Sequence, residues 1–245
     1  MTNIVNLDKT RRHHVLFLIG LLFLLPVLGW IPAYGEEENF LLREDGRERG
    51  SQDAPVTLLE YSDFTCGFCV KFFQETWPRI FTDYVQTGKV RLVYRDFPRT
   101  MTGPALDLAI ASRCAGEQGQ YWPMHDRLFH SQVHPDLNQL SREAKNFGLN
   151  TQEFSECVQS QRYITPIFQD RQEGGSLGVR GTPGFILFIT DQVEDGPILF
   201  IPGAFPFDVF QEQIDRLLLK ASEHSPPNPS SQGAHLSQQQ PQFPS

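Results

Sequence analysis

The stretch that most constrains this chain runs from Val56 to Trp77. There a short β-prone run, VTLLEY, gives way to Cys66-Gly67-Phe68-Cys69 and then at once to a helical pattern. Val56 to Tyr61 is nearly all apolar, as suits a strand buried on both faces. Phe64, Phe68 and Phe72 fall four apart and Phe73 and Trp77 continue the apolar stripe, so a helix is predicted from about Thr65 to Tyr84.

Cysteines three positions apart at a helix start share one face, with Cα atoms about 5 to 6 Å apart, the separation a disulfide requires. Unpaired backbone N–H groups and the positive end of the helix dipole meet at Cys66 and favour its thiolate, lowering its pKa below the free value of about 8.5. Cys66 is therefore predicted to be the nucleophile and Cys69, a turn deeper, the resolving thiol. The other uses of such a pair are half of a zinc site and a purely structural local disulfide. Zinc would need a second Cys-x-x-Cys or His-x-x-x-His, and His125, His130 and His134 are scattered, so no metal is predicted. His125 lies among Trp122, Met124 and Leu128 and reads as a packing histidine.

Both ends of the chain have a different composition. Lys9, Arg11 and Arg12 precede an apolar run from Val15 to Ile31, and Ala33-Tyr34-Gly35 offers small residues where a signal peptidase cuts. Residues 1–35 are expected to be a signal peptide cleaved after Gly35 or an uncleaved membrane anchor, since the run just reaches the length of a span. Residues 225–245 hold five Pro, five Gln and five Ser and no charged side chain, so residues 223–245 are expected to be a disordered tail. Residues 36–52 form a polar lead-in able to add an edge strand. The net charge of −8 becomes more negative without Lys9, Arg11 and Arg12, and no basic cluster remains, which argues against nucleic acid. Four cysteines beyond a secretory leader fit an oxidising, extracytoplasmic compartment, the periplasm or cell envelope.

A second strand is predicted at Lys89–Phe97. Strand, helix and strand within about forty residues make a βαβ unit with parallel strands. From about residue 103 to 178 the pattern is helical throughout, with five helices. Strands resume at Phe185–Thr190 and Ile198–Ile201, joined by Asp195-Gly196-Pro197 in a hairpin, and an amphipathic helix follows from about Pro206 to Ala221. The sum is an α/β domain, βαβ…ββα, with a helical insertion between the second and third core strands.

Over roughly residues 53–222 the chain resembles the DsbA-like branch of the thioredoxin superfamily. The resemblance rests on Asp53-Ala54-Pro55-Val56, on Phe64-Thr65-Cys66-Gly67-Phe68-Cys69, on Cys114-Ala115-Gly116-Glu117-Gln118-Gly119 with Trp122, Met124, His125 and Asp126, and on Val179-Arg180-Gly181-Thr182-Pro183. It implies a thioredoxin fold and a protein disulfide oxidoreductase that needs no metal, flavin or nucleotide. It implies that Pro183 is cis and packs beside the cysteine pair, and that the backbone of Thr182 pairs with an extended substrate segment. Gly67 and Phe68 are the dipeptide that tunes the thiolate, and Phe68, between two redox cysteines, is expected to be partly exposed and to offer substrates an apolar contact. Glu60 matches a buried acid that accepts the Cys69 proton; its alternative is an exposed edge position. Asp63, nearer in sequence, reads as a turn-forming or capping residue. Some relatives carry a second disulfide, and in an oxidising compartment Cys114 and Cys157 are expected to pair as a structural staple, the alternative being two buried free thiols.

The resemblance implies unfolded or mispaired exported proteins as substrates and a membrane disulfide-generating oxidase, DsbB- or VKOR-like, as the reoxidising partner. Where DsbA has Pro-His between its cysteines this chain has Gly-Phe, which looks more like the isomerase branch. Disulfide introduction is the leading expectation, with isomerase or reductase chemistry at the same pair as the alternative. A non-catalytic holding module for unfolded chains is the reading from another class.

Overall fold

The structure, a computed structural model, describes Leu41, residues 43–131 and residues 135–224. The leader and most of the tail lie outside these residues, as does His134.

Five strands form one sheet in the order β1-β3-β2-β4-β5. The central strand β2 (Val56–Ser62) runs parallel to β3 (Val90–Asp96) and antiparallel to β4 (Gly184–Ile189), which pairs antiparallel with β5 (Leu199–Pro202). The polar lead-in supplies β1 (Glu48–Arg49), a short antiparallel edge on β3. Every residue of β2, β3 and β4 is buried, the apolar, β-branched and aromatic majority together with Glu60, Ser62, Arg91, Arg95 and Asp96.

Alternation along β2 divides the core in two. Val56 and Leu58 join Leu92, Tyr94, Phe185 and Leu187 in the larger cluster, with Cys66, Cys69 and Phe72 from the following helix and Phe210 from α8 (Phe207–His224). Leu59 and Tyr61 point the other way, with Val93, Ile186 and Phe188. Glu60 and Ser62 share the parity of Val56 and Leu58, so the strand aims both at the face that holds the cysteines. On the opposite face α7 (Ile164–Ser176) comes so close that a Cβ on Gly174 would sit 2.7 Å from the Tyr61 ring.

The helical insertion comprises α3 (Pro104–Gly116), α4 (Tyr121–His130), α5 (Leu137–Asn146), α6 (Thr151–Ser160) and α7. Cys114 on α3 and Cys157 on α6 form a buried disulfide with Cα atoms 5.8 Å apart. Among the described residues no helix is long and apolar enough to cross a membrane.

Two local expectations are corrected. The helix begins at Gly67 rather than Thr65, with Cys66 as its N-cap, and is not uniform: α1 (Gly67–Lys71) widens into a π turn at Phe72–Thr76, returns as α2 (Trp77–Ile80) and widens again at Phe81–Val85. Pro78 cannot donate to the carbonyl of Gln74, so the regular ladder fails just ahead of it. Phe64 consequently lies before the helix, still buried, while Phe68 points to solvent as its place between the two cysteines predicts. The tight hairpin at Asp195-Gly196-Pro197 is also absent as such. β4 and β5 do pair antiparallel, but a 3-10 turn at Thr190–Gln192 starts a longer connection, tied to the sheet by the Thr190 hydroxyl, which donates to the Ala54 carbonyl.

Candidate active site

The turn between β2 and α1 is built by Asp63. Its Oδ1 accepts from the backbone N–H and the hydroxyl of Thr65, both at 2.7 Å, and its Oδ2 accepts from the Arg99 backbone N–H at 2.8 Å. The buried Asp63 thus pins the cysteine turn to the loop after β3 as well as organising it locally. The N–H of Cys66 donates to the Asp63 carbonyl, and the Cys66 carbonyl accepts from Val70 as the helix starts.

Cys66 and Cys69 are free thiols in unequal surroundings. Cys66 keeps 6% of its surface exposed and Cys69 none. The Cys66 thiolate accepts hydrogen bonds from the Cys69 thiol, from Thr182 and from the backbone N–H groups of Cys69 and Phe68, and together these outweigh burial and lower its pKa to about 5. Burial drives Cys69 the other way, well above the ordinary thiol, and the neighbouring Cys66 sulfur adds to the rise.

Pro183 follows a cis peptide bond, and the residue before it reaches the nucleophile: in its thiol form Cys66 Sγ donates to the Thr182 carbonyl at 3.3 Å. A groove of about 610 Å³ opens beside these residues, lined by Phe68, Thr182, Pro183, Phe200, Pro202 and Phe205. Phe68 is 67% exposed at its rim, and Phe200 and Phe205 are exposed across it. Sequence reasoning missed the last two, whose only signal was their place in and just after the last strand.

Glu60 is buried at 5% exposure, in register with Tyr94 on β3 and Phe185 on β4. It is not at an exposed edge. Burial raises its carboxyl to about 7, and the Ser62 hydroxyl pulls weakly in the other direction.

His125 is buried amid Phe64, Phe73, Tyr94, Trp122 and Phe129, and its Nδ1 pairs with Asp126 at 2.9 Å. Burial lowers its pKa to about 4, so it is neutral at pH 7. Among the described residues no group of three or more His, Cys, Asp or Glu side chains is arranged to hold a metal ion.

The family model described as Thioredoxin matches residues 43–188. The chain belongs to the thioredoxin family. Within that family it is DsbA-like. Its fold matches α-DsbA1 of Wolbachia pipientis at a TM-score of 0.65 and 26% identity, covering 72% of this chain and 92% of that one. A thioredoxin-like oxidoreductase from Silicibacter pomeroyi matches at 0.59 and 26%, over 72% and 94%. BdbD of Bacillus subtilis, at 0.60 and 20% identity over 71% and 92%, shares the fold. Curated relatives include the Na(+)/H(+) antiporter NhaA 3 of Salinispora tropica, 34% identical over 150 residues, which are 61% of this chain and 22% of that protein. The NhaA 1 antiporter of Salinispora arenicola is 32% identical over 57% of this chain and 21% of its own length. This chain thus spans about a fifth of the length of the curated relatives it matches.

Proposed function

We propose that this chain is a thiol–disulfide oxidoreductase for exported proteins, and that its main direction is disulfide introduction through Cys66 and Cys69. The observation that carries this reading is the split in acidity between the two sulfurs. A thiolate stabilised to about 5 on Cys66 favours the reduced pair, and stabilising the reduced form makes the corresponding disulfide more oxidising.

In the forward direction a substrate thiolate attacks Cys66 Sγ of the Cys66–Cys69 disulfide. A substrate–Cys66 disulfide forms, and Cys69 leaves as a thiolate that takes up a proton. A second substrate thiolate then attacks the substrate sulfur, closing the product disulfide and releasing Cys66 as a thiolate. Two electrons pass from substrate to the cysteine pair at each turnover. Phe68 and the groove beside Pro183 support the binding of extended, apolar segments of unfolded chains, with the Thr182 backbone available for strand-like pairing. The basic and apolar leader pattern supports an extracytoplasmic site of action, where a membrane oxidase of the DsbB or VKOR kind would reoxidise the pair. Antiport is not carried over from relatives of which only a fifth is matched.

The test is the reduction potential of the Cys66–Cys69 couple, equilibrated against glutathione. A value well above the about −270 mV of thioredoxin, toward the about −120 mV of DsbA, is expected. A value at or below that of thioredoxin would overturn the oxidase direction.

A further inference from the structure

The thiol that must give up or take back a proton in this cycle is Cys69, and it is sealed from solvent. Two buried acids share the face that holds it, Glu60 on β2 and Asp96 on β3, and Asp96, in register with Ser62, is already held by Arg47 and Arg113. Between Glu60 and Cys69 in sequence and on the same side of β2 lies Ser62, whose side chain is almost completely buried. Its Oγ completes no hydrogen bond of standard geometry, although buried hydroxyls nearly always do. The strand sets Ser62 next but one to Glu60 on the face that holds Cys69, and its hydroxyl favours the charged form of both the Glu60 carboxyl and the Cys69 thiol. A hydroxyl can accept one proton while donating another. The Asp63 backbone N–H supports the Cys69 sulfur from the adjacent residue. The other titratable group in register with Glu60 is Tyr94, from β3, and the β4 neighbour is Phe185.

We propose that the Ser62 hydroxyl is a positioning residue that relays the proton between the Cys69 sulfur and the Glu60 carboxylate. When the Cys66–Cys69 bond closes on a mixed disulfide, Ser62 Oγ accepts the Cys69 proton and passes its own to a Glu60 oxygen. The freed Cys69 thiolate attacks Cys66 Sγ, the new S–S bond forms, and the partner sulfur leaves as a thiolate with the electron pair of the old bond. In the opening direction the same path returns the proton to Cys69 as it leaves. This inference rests on Cys66 as nucleophile and Cys69 as resolving thiol.

The test uses the reduced full chain mixed rapidly with 5,5′-dithiobis(2-nitrobenzoate) between pH 5 and 9. The first release of nitrothiobenzoate reports attack by Cys66, and the second reports closure by Cys69. We expect S62A to slow the second phase relative to the first by about tenfold, less than the roughly 100-fold or more that loss of a general base can cost. S62T, which keeps the hydroxyl, restores it. E60Q slows the same phase, and S62A slows it no further in the E60Q background, because the relay has lost its far end. Thermal melts establish that each variant is folded, and S62G replaces S62A if the alanine variant is not. A second phase within twofold of the parent in S62A overturns the relay. So does slowing that S62T fails to reverse, or that adds in full to E60Q, since either assigns Ser62 a packing role. Loss of the first phase in the parent chain would instead overturn the reading of Cys66 itself, so the two failures are distinguishable.

Discussion

The Cys66 sulfur stands 3.3 Å from the carbonyl oxygen of Thr182, a residue 116 positions away in the chain. That contact joins the tip of the first helix to the turn that enters β4. The same residue serves the charged form differently, because the Thr182 hydroxyl, buried and without another hydrogen bond of standard geometry, can donate to the thiolate. The reduced protein should show thiolate absorbance at 240 nm with a midpoint near pH 5. C69A, which removes the largest stabilising hydrogen bond, should raise the midpoint further than T182A, which removes a smaller one. A midpoint near 8.5 in the parent, or the opposite order in the variants, would contradict this account of the site.

Glu60 makes stability depend on pH with a definite sign. Its folded pKa, about 7, is raised above the unfolded value, so its contribution is most favourable below about pH 4.5 and is lost as pH rises through 7. E60Q removes that penalty and should be more stable than the parent at pH 8, by up to about 3 kcal/mol, with the difference shrinking toward pH 5. Denaturant melts of the reduced proteins at the two pH values check it. An equal difference at both would mean that Glu60 does not titrate in this window.

Much of the fold was legible because its signals are local. The apolar run of β2, the cysteine spacing, the helical periods of the insertion and the amphipathic last helix each lie within a window of about twenty residues or fewer. Phe68 was separable from Phe72 by its place between the two cysteines, whereas the N-cap position of Cys66, which moved the helix start by two residues, was not legible. Pro78 was visible in the sequence, but its effect, the π turn before it, depends on how the rest of the helix packs. Ser62 reads as an ordinary polar strand end until β2 turns it to the face that holds Cys69. The buried ion network was out of reach for a different reason: Arg47 meets Asp96 and Asp170 across 49 and 123 residues. No periodicity encodes such pairings.

The disulfide between Cys114 and Cys157 closes a separation of 43 residues between α3 and α6. On the chain-entropy argument a loop of that length is worth up to about 4 kcal/mol, mostly by restricting the unfolded chain. The C114A/C157A protein should melt about 8 to 16 °C lower and retain the Cys66 and Cys69 phases of nitrothiobenzoate release from 5,5′-dithiobis(2-nitrobenzoate). Loss of exchange in a variant that is still folded would show that the insertion does more than brace the site.

Asp170 on α7 holds the lead-in to the body of the domain. Its Oδ2 accepts from Arg47 at 2.7 Å and from Arg113 at 2.6 Å, and also from the Asp96 backbone N–H at 3.1 Å. Arg47 and Arg113 in turn share Asp96 Oδ2, at 3.1 and 2.7 Å. Burial alone would raise the Asp170 pKa, but the two guanidinium groups outweigh it and hold the carboxyl below its ordinary value. Neutralising it leaves Arg113 facing Asp96 and Arg47 divided between Asp96 and Asp45, and removing one partner from such a cluster costs about 3 to 5 kcal/mol. D170N should therefore lower the melting temperature by about 10 °C or more at pH 7. Because the folded pKa is depressed, the parent's advantage is present above about pH 4 and fades as pH falls through the folded pKa, so the two melting curves should converge in acid. Residues 43–49 should also become the first site of proteolytic nicking in D170N, since Arg43 and Arg47 both lose an anchor on α7. Equal melting temperatures at pH 7 would mean that the packing of Leu41 and the pairing of β1 with β3, rather than the ion cluster, keep that segment in place.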